Sequence, residues 1–310
     1  MKTPIALAAL AGLAACATVP AGTASPDCSR ACLTGMLDTY LGAILAHDPG
    51  QAPLFDAFRQ TENAVVQPLG TGAWQSIGAM GALDRRYYDV VTGNAVFMGT
   101  MTHDDDPAIV SVRIRVEASE ITEAEWYIAH ESDPGIEGEP GGTLFDIADI
   151  EANPPPQRSV PVADRAPRAV LAAVSNSYFD GITNASRDIA LTNPSCSRRE
   201  NGLRVTQRPL AAGREWDGTD GLSDCKSGQG NFDVANVAAR RIPVIDEEQQ
   251  IVITSAVFIR THDHAKWRNL FSDVMVMDGG LISDIYATMF YVDPERAAPN
   301  WPPYDGNFAR

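Results

Sequence analysis

Two stretches of the chain carry apolar residues at a period near 3.6. In residues 32–47, Leu33, Met36, Leu37, Tyr40, Leu41, Ile44 and Leu45 fall on one side of a helix, and Asp48-Pro49-Gly50 ends it. A second such stretch starts near Ala166, with Leu171, Val174, Tyr178, Phe179 and Ile182 on its apolar side. Between them the pattern changes to runs of β-branched and aromatic residues, which predict strands at residues 64–67, 95–102, 109–117 and 121–130. A comparable series of strand signals follows the second helix. Each helix needs a sheet to cover its apolar stripe, so the pattern predicts a helix-first unit with a long, curled, mostly antiparallel sheet, written twice.

The two halves align. Tyr40 falls on Tyr178, Ile44 on Ile182, Glu62 on Glu200 and Asn63 on Asn201, all at a shift of 138 residues. Thr102-His103-Asp104 then matches Thr261-His262-Asp263 at 159, and Ile121 matches Ile282 at 161. An ordered series with one direction of insertion reads as a tandem duplication whose second copy carries an extra Gly/Asp/Ser-rich loop, residues 216–231, around Cys225. The expected organisation is a signal peptide at 1–15, a tether at 16–27, a first domain at 28–133, a Pro/Gly-rich linker at 134–166, a second domain at 167–293 and an extended tail at 294–310. The aromatic tail, with Trp301 and Tyr304, is expected to lie back across the second domain.

Residues 5–15 form an apolar run too short to span a bilayer, which reads as an export signal. It ends Leu13-Ala14-Ala15-Cys16, which resembles the lipobox of bacterial lipoproteins. That resemblance implies lipidation of Cys16, and with Ala17 following, a periplasm-facing anchor in the outer membrane. Ordinary cleavage near Ala15-Cys16-Ala17 is the alternative, and releases a soluble periplasmic protein. Either way Cys28, Cys32, Cys196 and Cys225 remain. An even number in an oxidising compartment suggests two bridges, and the favoured pairing is Cys28–Cys32 with Cys196–Cys225. Lys+Arg 24 against Asp+Glu 40 leaves a net charge of −16, which argues against a nucleic-acid partner. The chain has no G-x-G-x-x-G, Walker-type loop, H-E-x-x-H or G-x-S-x-G, so nucleotide-dependent, zincin and α/β-hydrolase readings are disfavoured.

The segments Cys28-Ser29-Arg30-Ala31-Cys32, Thr61-Glu62-Asn63, Arg199-Glu200-Asn201-Gly202 and Arg241-Ile242-Pro243-Val244-Ile245-Asp246-Glu247-Glu248 resemble an uncharacterised family of secreted bacterial and fungal proteins that carries a SnoaL-like, nuclear-transport-factor-two-like cone twice. The resemblance implies an α+β fold: two tandem cone-shaped SnoaL-like domains, each with N-terminal helices packed in a curved, mostly antiparallel sheet around an apolar pocket. Enzymes of that superfamily commonly work without metal or organic cofactor, by acid/base groups in a dry pocket. Fold alone does not assign an activity.

Candidate chemistry centres on the second copy. Glu200 and Glu62 each lie beside apolar strand residues, where burial raises a carboxylate toward the range of a general base; a paired Glu-Asn equally suits a backbone turn. Tyr178 and Tyr40 lie on the helix faces expected to meet the sheet, where a phenol can donate to an oxyanion or fill a core. The second copy alone adds Arg199, where the first has Thr61. His262 and His264 are two residues apart, a spacing that puts both on one face of a strand for acid/base work or a metal, while a strand-ending loop leaves them solvated. His103-Asp104-Asp105-Asp106 is a poor calcium loop and a better acidic turn.

The expected function is a cofactor-independent lyase or isomerase in the cell envelope, acting on a hydrophobic aromatic or polyketide-like small molecule, lignin-derived compounds included. Glu200, Tyr178, Arg199 and His262 are the expected catalytic residues, Tyr40 and Glu62 the expected substrate contacts, and the disulfide-bearing loop the expected lid. The alternatives are a lipid-anchored, non-enzymatic binder of apolar molecules and a scaffold with vestigial pockets. The expected assembly is a monomeric pseudo-dimer whose copies bury their outer sheet faces against each other.

Overall fold

The computed structural model describes residues 28–183, 189–207, 223–227, 234–260, 266–293 and 301. The first unit opens with helix α1 (Arg30–Leu45), started by the Ser29 hydroxyl accepting from the Cys32 amide. Strands β1 (Leu54–Glu62) and β2 (Val65–Gln67), the short helix α2 (Ala73–Ser76) and strands β3 (Ile77–Asp89), β4 (Asn94–His103), β5 (Asp106–Glu117) and β6 (Glu120–Ala129) follow. The connection holds α3 (Ile147–Ala152). The second unit repeats the series with α4 (Arg168–Thr183), β7 (Thr192–Glu200), β8 (Leu203–Arg204), β9 (Val234–Asp246), β10 (Ile251–Arg260), β11 (Arg268–Asp278) and β12 (Leu281–Val292).

The strand orders are β2-β1-β6-β5-β4-β3 and β8-β7-β12-β11-β10-β9, the same topology twice. In each sheet the first strand pairs parallel with the last and the remaining pairs are antiparallel. The repeat extends to side chains. Asn63 donates to the Ile128 carbonyl and accepts from the Ile128 amide, both at 2.8 Å. Asn201 does the same with Met289, at 2.9 and 2.8 Å. Both asparagines sit at positive φ (44° and 42°), a conformation Asn tolerates better than most residues, and each turns the chain out of its first strand.

The expected α+β SnoaL-like cones are corrected by the strand content: the described residues are 49% strand and 21% helix, in two six-stranded sheets with four α-helices. The fold is β-rich with two domains. The reason lies in the periodicity, since only α1 and α4 carry a sustained helical stripe, and the chain after Pro49 goes directly into β1. Strand β3 escapes sequence reading because Gly78 and Gly81 interrupt it. Both lie over the β4 threonines Thr102 and Thr100, leaving no room for a Cβ at 81.

Each helix covers one face of its sheet, the inner face. The outer faces pack against each other through Leu83, Tyr87, Val96, Met98 and Ile109 of the first unit and Val244, Ile251, Ile253, Val274 and Tyr286 of the second, with Ile150 of α3 among them. Near-symmetric polar contacts cross this junction. Ser111 and Ser272, equivalent by register, meet hydroxyl to hydroxyl at 3.0 Å. The Tyr88 amide donates to Asp246 at 3.0 Å, and the Ile245 amide to Asp89 at 2.9 Å. The Pro154–Pro156 stretch is pinned here too: Arg85, Tyr87 and Tyr286 donate to the carbonyls of Pro155, Pro156 and Pro154.

Both disulfides form, Cys28–Cys32 and Cys196–Cys225, with Cα atoms 5.3 Å apart in each. They fit an oxidising, extracytoplasmic setting. Among the described residues no helix is long and apolar enough to cross a membrane. Of the tail, only Trp301 is described. It is buried on the first unit, donating from Nε1 to Thr61 at 3.0 Å beneath the guanidinium of Arg113, 4.9 Å from the ring.

Candidate functional site

Alternation along β7 turns Cys196, Arg198 and Glu200 to the inner face and Arg199 to the outer one. Tyr178, on the apolar side of α4, meets them: Arg198 Nη1 donates to the Tyr178 hydroxyl at 3.3 Å, and its Nε to Glu200 at 2.8 Å. From β11, Asp273 enters the same space, with Arg198 Nη1 at 3.6 Å. That approach is an ion pair beyond hydrogen-bond reach. Asp273 is 0% exposed, and among the described residues neither of its carboxylate oxygens has a hydrogen-bond partner.

Burial, with Glu200 adding repulsion, pushes the Asp273 carboxyl up to about 6 against the pull of Arg198. Burial also opposes the charge of Arg198, but Tyr178, Asp273 and Glu200 around it more than offset that and raise its pKa. The arrangement is a buried cation linking a phenol and a carboxylate to a second carboxylate that titrates near neutrality.

The first unit shows what this site departs from. There the register lines up Phe97, Val112 and Trp126 across three strands; in the second unit the same positions are Thr254, Asp273 and Ala287. Two rings and a valine become a hydroxyl, a carboxylate and a methyl. Arg198 takes the place of Gln60, whose Oε1 accepts from Tyr40 at 3.0 Å and from Trp74 at 2.9 Å. Trp126 donates to the Tyr40 hydroxyl at 2.9 Å. Thus the first inner face is filled by an aromatic cluster whose hydroxyl and indole groups are hydrogen-bonded, with only Gln60 Nε2 of this set left without a partner among the described residues. In the second, Thr254 Oγ1, like the Asp273 carboxylate, has no hydrogen-bond partner among the described residues. A native core rarely keeps such groups unless they serve something.

A second cluster lies at the edge of the first unit. His103 Nδ1 and His130 Nε2 are 3.0 Å apart, Glu62 Oε1 is 3.9 Å from His103 Nε2, and Asp133 Oδ1 is 3.7 Å from His130 Nδ1. Burial raises Glu62, although its Oε2 accepts from the Ala73 amide at 2.7 Å. Burial and the neighbouring His130 lower His103. His130 also lines a cleft of 590 Å³ with Asp106, Phe145 and Ile147. Asp104 and Asp105, at φ 50° and 67°, form a tight hairpin turn.

Of the residues singled out from sequence, Tyr178 and Glu200 are brought together, through Arg198. Arg199 is not with them: it lies 3.3 Å from Asp149 of α3 and over the Tyr286 ring. Tyr40 and Glu62 belong to different places, the filled core and the edge cluster. Cys16, His262 and His264 lie outside the described residues, as does most of the expected lid, of which residues 223–227 are described. The Thr-His-Asp match is out of register. Pairing of β10 with β11 aligns Ile253–Val274 with Val96–Arg113, a shift of 157 on β10 that puts Arg260, not His262, at the position of His103.

Asp273 and Arg198 were missed by sequence reading. The one signal was an acidic residue inside the run Leu270 to Met277, whose other residues are apolar apart from Ser272.

Residues 164–289 match DUF8021, a domain of unknown function. The match covers the second unit, where the buried carboxylate lies. No curated protein matches the chain.

Proposed function

We propose that the second unit catalyses a proton transfer on a small, largely apolar carbonyl compound, as a lyase or isomerase, and that the first unit is its scaffold. The observation that carries this reading is Asp273: fully buried, with no hydrogen-bond donor within bonding distance among the described residues and Arg198 Nη1 at 3.6 Å, at a position that is Val112 in the first unit. A buried carboxylate held only by the longer approach of Arg198 and raised to about 6 is suited to take a proton from carbon. Glu200 is the poorer base because Arg198 Nε already holds it at 2.8 Å.

In this reading Asp273 takes the proton α to the carbonyl, and the electron pair moves to the carbonyl oxygen. Arg198 and Tyr178 stabilise the resulting enolate, and the same carboxyl returns the proton to another carbon or assists loss of a leaving group. Preorganised donors in a water-poor interior stabilise such charge more than solvent does. The apolar leader and Cys16 support a place in the cell envelope, lipid-anchored on the periplasmic side.

The test is deuterium incorporation into aryl and alicyclic ketones in D2O, read by proton NMR. Wild-type protein is expected to accelerate exchange, and Asp273→Asn to lose at least about a hundredfold of that rate. Arg199→Ala is expected to keep it. Equal exchange rates for wild type and Asp273→Asn would sink the assignment. Binding of ketones with no exchange would favour the non-enzymatic binder.

A further inference from the structure

Gln60 meets Tyr40 on the inner face, so alternation along β1 turns Thr61 to the outer one. Register places Thr61 across from Glu125 of β6, which in turn faces Arg113 of β5. In the second unit the same three positions are Arg199, Tyr286 and Val274. There the unit stacks its own cation on its own ring, with the Arg199 guanidinium 5.6 Å from the centre of Tyr286. The first unit keeps a cation, moved to Arg113, but has no ring at these positions. Its ring comes from the end of the chain: Trp301, 3% exposed, lies with the Arg113 guanidinium at 4.9 Å and that of Arg59 at 5.4 Å.

The receiving surface is held in place by bonds that do not involve the indole. Arg113 Nε donates to Glu125 at 3.2 Å, and its Nη1 to Asn94 at 3.0 Å and to Glu123 at 2.7 Å. Glu125 is fixed in turn by Arg241 of the second unit, through bonds of 2.9 and 2.6 Å, and by the Tyr127 hydroxyl at 3.0 Å. These bonds use the edge of the Arg113 guanidinium and leave its flat face to the ring, the geometry in which arginine holds an aromatic group. One polar contact sets the direction of the indole, its Nε1 donating to Thr61 Oγ1 at 3.0 Å. Thr61 is short where its counterpart Arg199 is long, which leaves room for the ring above β1.

We propose that the outer face of the first unit is a binding site for an indole group, formed by Arg113, Arg59 and Thr61, and that Trp301 is a tethered ligand in it, exchangeable with a tryptophan side chain supplied from solution. Because Arg241 reaches the same Glu125 from the second unit, the occupied site ties the chain end to the junction between the units. Tethering keeps the site filled: a ligand on the same chain meets it at an effective concentration on the order of millimolar, so a free competitor enters only when Trp301 is removed. The inference is independent of the chemistry given to Asp273.

The experiment is NMR titration of the full chain carrying Trp301→Ala with N-acetyltryptophanamide, beside the same amide methylated on the indole nitrogen. The variant is expected to bind N-acetyltryptophanamide at least about tenfold tighter than wild type, whose site is filled. Methylation removes the donor to Thr61 and is expected to weaken binding about tenfold. A second measurement, on wild type, separates an exchangeable ligand from a core residue. The Trp301 indole N–H is expected to exchange with D2O at least about a hundredfold faster than that of Trp126, which donates to Tyr40 inside the first unit. This measurement decides alone should Trp301→Ala not fold. Absence of binding to folded Trp301→Ala protein, binding equal to that of wild type, equal binding of the methylated amide, or Trp301 exchange as slow as that of Trp126 overturns the proposal.

Discussion

Arg30 grips Asp246 with two parallel hydrogen bonds of 2.9 Å, joining the first helix of one unit to the sheet of the other. The reciprocal pair, Arg168 with Asp89 at 2.9 and 2.6 Å, closes the same clamp in the opposite direction. Arg30 and Arg168 occupy equivalent helix positions, and both carboxylates are fully buried at the side chain. The junction is thus self-complementary, as in a two-fold dimer, although both halves belong to one chain.

Breaking either clamp strands a buried carboxylate. Since each arginine is about a third exposed and each carboxylate also accepts backbone amides, we expect Arg30→Ala and Arg168→Ala each to cost about 2 kcal/mol. Calorimetry should show Tm falling by roughly 4–8 °C for each, with the two units still melting in one transition. An unchanged Tm in both variants would show the clamps to be ornamental.

The Asp273 carboxyl is held above its unfolded value of 3.8, at about 6. The folded state therefore binds the proton more tightly, and stability rises as pH falls from above 6 toward 4 through this group. Asp273→Asn should remove that dependence and raise stability at pH 7 by about 1–2 kcal/mol, the sign of a group retained for function. Urea unfolding at pH 5 and pH 7 checks it; a loss of stability at pH 7 would mean that Asp273 chiefly serves to neutralise Arg198.

His103 runs the other way. Its pKa is lowered in the folded protein, by burial and then by His130, so its contribution is complete above the unfolded value of 6.5 and is lost progressively as pH falls from there through its lower folded value. His103→Gln is expected to flatten the decline in stability between pH 6.5 and 5. NMR titration should place the wild-type His103 ring below an exposed histidine; a value above it would contradict the burial argument.

Making the second inner face like the first is a stricter test. The triple variant Thr254→Phe, Asp273→Val and Ala287→Trp rebuilds the set found at Phe97, Val112 and Trp126. It is expected to fold, with proton exchange abolished. Retained exchange would mean that the reaction takes place in another part of the protein.

Cys196–Cys225 closes a loop with a sequence separation of 29, against 4 for Cys28–Cys32. Loop-closure entropy gives the longer bridge about 3–4 kcal/mol and the shorter about 2 kcal/mol. Replacing both cysteines of a pair with serine should lower the denaturant midpoint more for the first pair. A larger effect at Cys28–Cys32 would point to its place at the start of α1 rather than to loop length.

The amino-acid order alone determined the two helices, the doubling and the nomination of Tyr178 and Glu200, because these rest on local periodicity and self-similarity; it favoured the disulfide pairing that forms but left the connectivity open among three. It misled on fold class, since a stretch such as residues 77–89, Gly-interrupted and charged, shows its strand character only when paired with β4. It also chose Arg199 over Arg198. Adjacent residues on a strand face opposite sides, and nothing local reveals which side the helix covers.

Asp273 became visible only through register. Its meaning comes from lying across from Thr254 and Ala287, where the other unit has Phe97 and Trp126. Tertiary structure decided this, because burial and the absence of hydrogen-bond donors are properties of what surrounds a carboxylate and not of the carboxylate itself.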